Sequence, residues 1–214
     1  MKVACFCFLL ALACSGAVAV PTPDECAPLI HPQSLDDHSK LIGTKKFISG
    51  FTDHPAFNAI LKITDSTRIT ISDDEHHDKN LGFYEEMLLN GTCYGTRINM
   101  SIGDHVIHAK MLNFSSTIEM LPTCDGCLVM NINSSAHDLK TFMEEHGLHV
   151  DNLNNDEIHV HALYLFAADE NTVKDAELEH FKKQAACLHL SGEPVFKFDP
   201  KKESCDGHKV VMLN

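Results

Sequence analysis

The chain has 214 residues, a formal net charge of −13 and nine cysteines. That acidity sets nucleic acid and anionic membranes aside as partners, and the length suits one domain. The charge fits a soluble plasma-type protein, and serving solubility alone would explain it equally well.

Residues 1–19 read as a leader outside the fold. Lys2 is a short positive start, 3–14 an apolar run, and Ala17-Val18-Ala19 a small-residue cleavage pattern. The run is shorter than the ~20 apolar residues a membrane span needs, and no later segment qualifies. The expectation is a secreted, extracellular chain starting at Val20, whose charge without Lys2 becomes −14. Residues 20–214 then form a single domain, because no linker divides them.

Cys5, Cys7 and Cys14 leave with the leader, and Cys26, Cys93, Cys124, Cys127, Cys187 and Cys205 remain. Six cysteines in a secreted chain imply disulfides and allow 15 pairings, among which the residues themselves do not choose. Secretion also argues against a cytosolic redox role for Cys124-Asp125-Gly126-Cys127.

Residues 41–51 read as the first strand. Phe47, Ile48 and Phe51 suit a pleated, half-buried surface. Gly43 marks a bend into the sheet, and Gly50 a bulge or close approach. Further strands are expected over 66–72, 81–90, 92–102, 105–112, 115–121 and 127–134. Residues 73–79, which include His76-His77, form a charged loop, Asn90-Gly91 is a strong hairpin signal, and Ile102-Gly103-Asp104 is another turn. Successive hairpins suggest an up-and-down meander or barrel.

Residues 136–146 look like a short helix ended by Gly147, with Leu139, Phe142 and Met143 on one side. After a polar loop at 151–157, residues 157–167 return to strand. Thr172 to Asp175 resembles a capping box with Asp in place of Glu. Leu178, Phe181, Ala185 and Leu188 recur at helical spacing, so 173–188 is an amphipathic helix whose stripe packs outside the barrel. The tail from Glu193 adds a short extended piece.

Four Asn-x-Ser/Thr acceptors, Asn90, Asn99, Asn113 and Asn133, are expected to carry glycans and so to face solvent. Alternate strand residues point to opposite sides. Asn99 outward puts Cys93, Gly95 and Arg97 outward and Tyr94, Thr96, Ile98 and Met100 inward. Asn90 outward puts Phe83, Glu85, Met87 and Leu89 inside, and Asn133 outward does the same for Leu128, Met130 and Ile132. The resulting lining is apolar and Met-rich with a few polar points; a closed core would use many of the same residues.

Glu25-Cys26-Ala27-Pro28-Leu29, Thr92-Cys93-Tyr94, Ala186-Cys187-Leu188 and Lys202-Glu203-Ser204-Cys205 resemble α1-acid glycoprotein. Thr123-Cys124-Asp125-Gly126 and the strand Gly43-x-x-x-Phe47-Ile48-x-Gly50 resemble apolipoprotein M. The likeness runs from Cys26 to Cys205. It is closest to the fish members of this lipocalin group, the saxitoxin- and tetrodotoxin-binding and tributyltin-binding proteins. Gly43-Thr44-Lys45 stands where lipocalins carry Gly-x-Trp, with Lys45 at the Trp position.

The resemblance implies an all-β fold: an eight-stranded antiparallel up-and-down lipocalin barrel with one C-terminal α-helix packed outside. It implies Cys26–Cys187 and Cys93–Cys205 bonds, each closing a long loop and each worth up to ~4–5 kcal/mol in the chain-entropy model. In apolipoprotein M the cysteine at the place of Cys124 pairs with one in the helix. This helix has none before Cys187, so Cys124 and Cys127 are expected to bridge each other. The family pattern also turns Lys45, Phe47 and Ser49 inward and places a cavity-facing basic residue near His108. Glu85 lies eight residues before Cys93, the spacing at which α1-acid glycoprotein carries a cavity glutamate. A wet barrel mouth, or pairing with Lys45 or His108, is the plainer account of that carboxylate.

The expected ligand-binding residues are therefore Phe47, Phe83, Glu85, Met87, Tyr94, Thr96, Ile98, His108 and Met130. The resemblance implies a secreted, monomeric glycoprotein that carries a small hydrophobic, amphiphilic or cationic ligand, a toxin or xenobiotic among them. The alternative is an acute-phase-type immunomodulatory glycoprotein acting through protein partners. His159 and His161 share a strand face, but no second pair completes a zinc site, so no metal or cofactor is expected. Enzyme motifs are missing: there is no Gly-x-Ser-x-Gly, phosphate loop or His-Glu-x-x-His.

Overall fold

The computed structural model describes residues 21–74, 77, 79–150, 153–168, 173–190 and 192–213. The leader, His76 and Thr172 of the expected capping box lie outside these residues. Among the described residues, no helix is long and apolar enough to cross a membrane.

The first element among the described residues is a helix that the sequence reading does not include, α1 (Pro23–Ile30). Thr22 caps it, accepting from the Glu25 amide while the Glu25 carboxylate accepts from the Thr22 amide; such reciprocal capping satisfies two otherwise unpaired donors. A 3-10 turn at Ser39–Leu41 leads into β1 (Gly43–Thr52). A second unforeseen helix, α2 (Pro55–Ile63), separates β1 from β2 (Thr64–Asp73). β3 (Asn80–Leu89), β4 (Thr92–Ile102), β5 (Ile107–Met111), β6 (Phe114–Leu121) and β7 (Cys127–Ala136) follow as hairpins. The expected strand over 105–112 is thus shorter at both ends. At Asn90 and Gly91 φ is 49° and 80°, the left-handed pair that a tight two-residue hairpin requires. The short helix is α3 (Leu139–Glu145), later in its start than expected, and leads to β8 (Ile158–Ala168). α4 (Asp175–Cys187), β9 (Phe196–Lys197) and β10 (Val210–Met212) complete the chain. Lys174 occupies the N-cap of α4 without a side-chain cap.

β1 to β8 pair in sequence order, all antiparallel, and β8 returns to β1, closing an eight-stranded barrel. Two seams in this wall are filled by the tail. β1 pairs with β2 only from Gly43 to Lys46; beyond that, Ser49 and Gly50 pair with β9. β4 pairs with β5 only from Met100 to Ile102, and β10 runs parallel along Cys93 to Gly95.

α4 lies outside, as its stripe requires. Phe181 and Ala185 are fully buried against Phe51, Leu163 and Leu165 on the outer barrel face. The Gln184 amide donates to the carbonyls of Leu29 and Pro122 at 2.9 and 2.8 Å, tying α4 to α1 and to the β6–β7 turn. Disulfides join Cys26 to Cys187, Cys93 to Cys205 and Cys124 to Cys127.

The β1–β8 register slips between Phe47 and Ser49. Lys45 and Phe47 face inward, but Ser49 sits opposite outward-facing Leu165 and donates to the Phe196 carbonyl at 3.3 Å. Ser49 therefore does not face the interior as expected: a bulge flips every side chain beyond it.

Candidate functional site

The barrel interior holds a cavity of about 270 Å³, at the small end of small-molecule sites. β3 supplies Phe83, Glu85 and Met87 to its wall, β4 supplies Thr96, Ile98 and Met100, and β7 supplies Met130 and Ile132. Tyr164 of β8 faces them. Phe47 lies at one side, stacked 4.3 Å from Phe196 and edge-on to Tyr164 at 5.0 Å. A Cβ on Gly50 would stand 2.5 Å from Phe47 Cζ, so only glycine lets this ring lie where it does. Lys45 is buried at the start of β1 and donates to the Leu41 and Ile42 carbonyls, each at 3.1 Å. The open end is covered by α2 through Phe57, Ile60 and Leu61, by α3 through Leu139, Phe142 and Met143, and by Leu213.

Glu85 pairs across the sheet with Ile69 and Thr96. Its carboxylate faces the cavity, and among the described residues no hydrogen-bond donor meets it. Removal from water disfavours the charged form, and burial raises the Glu85 pKa to about 7. Tyr164 is also raised, first by its own burial and then by the negative charge of Glu85. An acid and a phenol thus share a largely apolar chamber, to which Thr67, Thr96, Ser116 and Lys110 add further polar points. Lys45 does not neutralise the acid: its ammonium donates to the carbonyls of Leu41 and Ile42, and burial alone sets the Glu85 shift.

Of the residues expected to touch a ligand, the structure brings Phe47, Phe83, Glu85, Met87, Thr96, Ile98 and Met130 to the cavity. Tyr94 is on the predicted side of β4 but does not line it. It is buried in the cluster around α3, and its hydroxyl donates to the His146 carbonyl at 3.4 Å. His108 is corrected outright. Ile107 and Ala109 turn inward opposite Ile102 and Met100, so His108, opposite Ser101, points to solvent. It cannot pair with Glu85. His159 and His161 are on the outer face, and His161 Nε2 lies 2.7 Å from Asn131 Oδ1. Asn90, Asn99 and Asn133 are exposed and Asn113 is half-buried.

Sequence reasoning missed the covering residues. Phe57, Ile60 and Leu61 carry a helical spacing behind Pro55, which together signal α2. Tyr164 was legible from His159 and His161, since an outward pair two apart leaves the even-numbered residues inside. Nothing local marks Leu213.

The backbone resembles several solved structures. The siderocalin Ex-FABP matches with a TM-score of 0.55 at 14% identity, over 76% of this chain and 97% of that one. The bovine lipocalin allergen Bos d 2 matches at 0.51 and 15%, over 74% and 94%, and a dog lipocalin allergen at 0.51 and 14%, over 72% and 89%. The chain has the lipocalin fold. No protein-family model matches the sequence, and no curated protein does. In this fold the two tail strands are part of the wall, and α2, α3 and Leu213 contribute to the lining of the cavity.

Proposed function

We propose that this lipocalin is a secreted carrier of a small apolar or amphiphilic ligand, preferably one bearing a single positive charge. The observation that carries this reading is the cavity itself: a largely apolar chamber in which, among the described residues, the Glu85 carboxylate meets no hydrogen-bond donor. A buried charge is unfavourable unless paired, and an ammonium or guanidinium ligand supplies the pair through charge-assisted hydrogen bonds. Tyr164, Thr96 and Thr67 offer neutral polar points nearby, while the methionines adapt to shape. Toxins and xenobiotic amines fit this description, and so do endogenous amines. Ex-FABP, one of the fold neighbours, is described as a siderocalin with dual ligand specificities; a chamber that accepts apolar bodies with and without charge would be similarly permissive. The three disulfides and the Asn-x-Ser/Thr sites support an extracellular setting.

The test is a paired titration with two probes of equal shape, 1-naphthylmethylammonium and neutral 1-naphthalenemethanol. Glu85→Gln is expected to weaken the ammonium by ~1–3 kcal/mol, as for a lost charged hydrogen bond, and to leave the alcohol nearly unchanged. Equal losses for both, or none for the ammonium, rule out the anchor. If the wild type takes up neither probe, and native mass spectrometry of the purified glycoprotein releases no small molecule, the carrier reading fails.

A further inference from the structure

The arm beyond α4 is anchored before it reaches the cavity. Phe196 of β9 stacks on Phe47. Arg68 forks onto Asp206 at 2.8 and 3.2 Å, Lys202 pairs with Asp65, and Cys205 is bonded to Cys93. From that anchor β10 runs along the part of β4 that β5 does not reach. The approach is close: a Cβ on Gly95 would lie 2.7 Å from Val210 Cγ1 and 2.9 Å from Met212 Sδ. The Leu213 amide then donates to the Gly95 carbonyl at 2.8 Å. Its side chain turns in, 4% exposed, to the cluster that holds Leu139, Phe142 and Met143 of α3, and it lines the cavity.

The same arm is lightly held at its end. β10 has three residues and, among the described residues, pairs on one side only. Val211 and Met212 are 39% and 38% exposed. Short, one-sided strands with exposed backbone belong to the least stable part of a fold, whereas the disulfide fixes where the arm starts and returns it to the same place.

We propose that β10 and Leu213 form a releasable latch on the cavity. While the arm is docked, Leu213 pins α3 over the opening and limits ligand length. When the arm lifts from Gly95, α3 loosens and a path opens beside the unpaired stretch of β4. Ligand exchange is thereby set by the arm rather than by the barrel. The proposal rests on the reading of the cavity as a ligand site.

The experiment uses the full-length, oxidised protein and two variants: Leu213→Ala, which keeps β10 but removes the pin, and Gly95→Val, which undocks β10 but keeps Leu213. Val129→Ala, in the outer cluster beneath α4, reports general destabilisation. Hydrogen exchange is measured without ligand. Both latch variants are expected to speed exchange of the α3 amides about tenfold or more, leaving the barrel strands unchanged apart from the β4 stretch Cys93–Gly95 that β10 covers, with no such selectivity in Val129→Ala. They are also expected to release 1-naphthalenemethanol faster than the wild type by a similar factor. Unchanged α3 exchange, exchange that rises equally in the barrel strands, or an unchanged release rate overturns the latch. Should Gly95→Val fail to fold, Leu213→Ala decides alone. Failure of the wild type to bind the alcohol counts against the carrier reading instead, and the two failures are distinguishable because exchange needs no ligand.

Discussion

Glu85 sets a pH dependence whose sign follows from its environment. Its pKa is raised to about 7 by burial, against an ordinary glutamate value near 4.3 in the unfolded chain. The folded state therefore holds this proton more tightly. The stability that the neutral acid confers is fully present below about pH 4.5 and is lost as pH rises toward 7. Glu85→Gln, which cannot charge, is expected to match the wild type in the unliganded state near pH 4 and to exceed it at pH 8. The difference at pH 8 is at most on the order of 4 kcal/mol, less where water enters the cavity. Thermal melts of both proteins from pH 4 to 8 check this; parallel curves would show that the carboxylate is solvated. A permanently cationic ligand should reverse the trend, binding more tightly above pH 7 than below it. The inward direction of Glu85 was readable from the sequence because β3 is regular from Asn80 to Leu89 and the exposed Asn90 fixes its phase. No such regularity protects His108. It lies just after the Gly103 turn, where one residue of difference in the loop reverses the face.

At the scale of elements, alternation carried the reading of the hairpins from β3 to β7, and the amphipathic stripe placed α4. Two signals lay outside alternation. α2 is nine residues joining two strands, too short for periodicity alone to mark it. The bulge at Ile48 depends on how β1 meets β8, a long-range pairing with no local signature, so the family pattern turns Ser49 to the wrong side. The sequence does mark the neighbouring close approach, through Gly50. Gly50→Ala would place a Cβ 2.5 Å from Phe47 Cζ and 3.1 Å from Tyr164 Cδ1. Both rings must then shift, because packed cores do not absorb a methyl without strain. The expected loss is ~1–3 kcal/mol, and neutral ligands should weaken together with cationic ones, because Phe47 moves toward the cavity. Denaturant unfolding and the paired titration together check this; a loss confined to the cation would show that Phe47 had not moved.

At the scale of the molecule, cross-links govern how the barrel and its outer parts stay together. Cys26–Cys187 and Cys93–Cys205 span 161 and 112 residues, while Cys124–Cys127 spans three. In the chain-entropy model each long bond restricts the unfolded chain by ~5 kcal/mol and the short one by under ~2 kcal/mol. Their places in the fold point the same way. Cys26 ties α1 to the end of α4, and Cys205 roots the arm that fills the wall beside β4. Cys124 and Cys127 bridge a turn whose Cys127 amide already donates to the Cys124 carbonyl at 3.0 Å. Replacing Cys124 and Cys127 together by Ala is expected to lower the melting temperature by only a few degrees and to leave ligand affinity intact. Replacing Cys26 and Cys187 should remove most of the net stability, since a domain of this kind holds only ~5–15 kcal/mol in all. Replacing Cys93 and Cys205 should do the same and also free the tail from β4. Melts of the three double variants, with non-reducing peptide maps to establish the pairing, test the ranking. A short-bond variant as unstable as the long-bond ones would show that the turn, rather than the tail, organises the barrel.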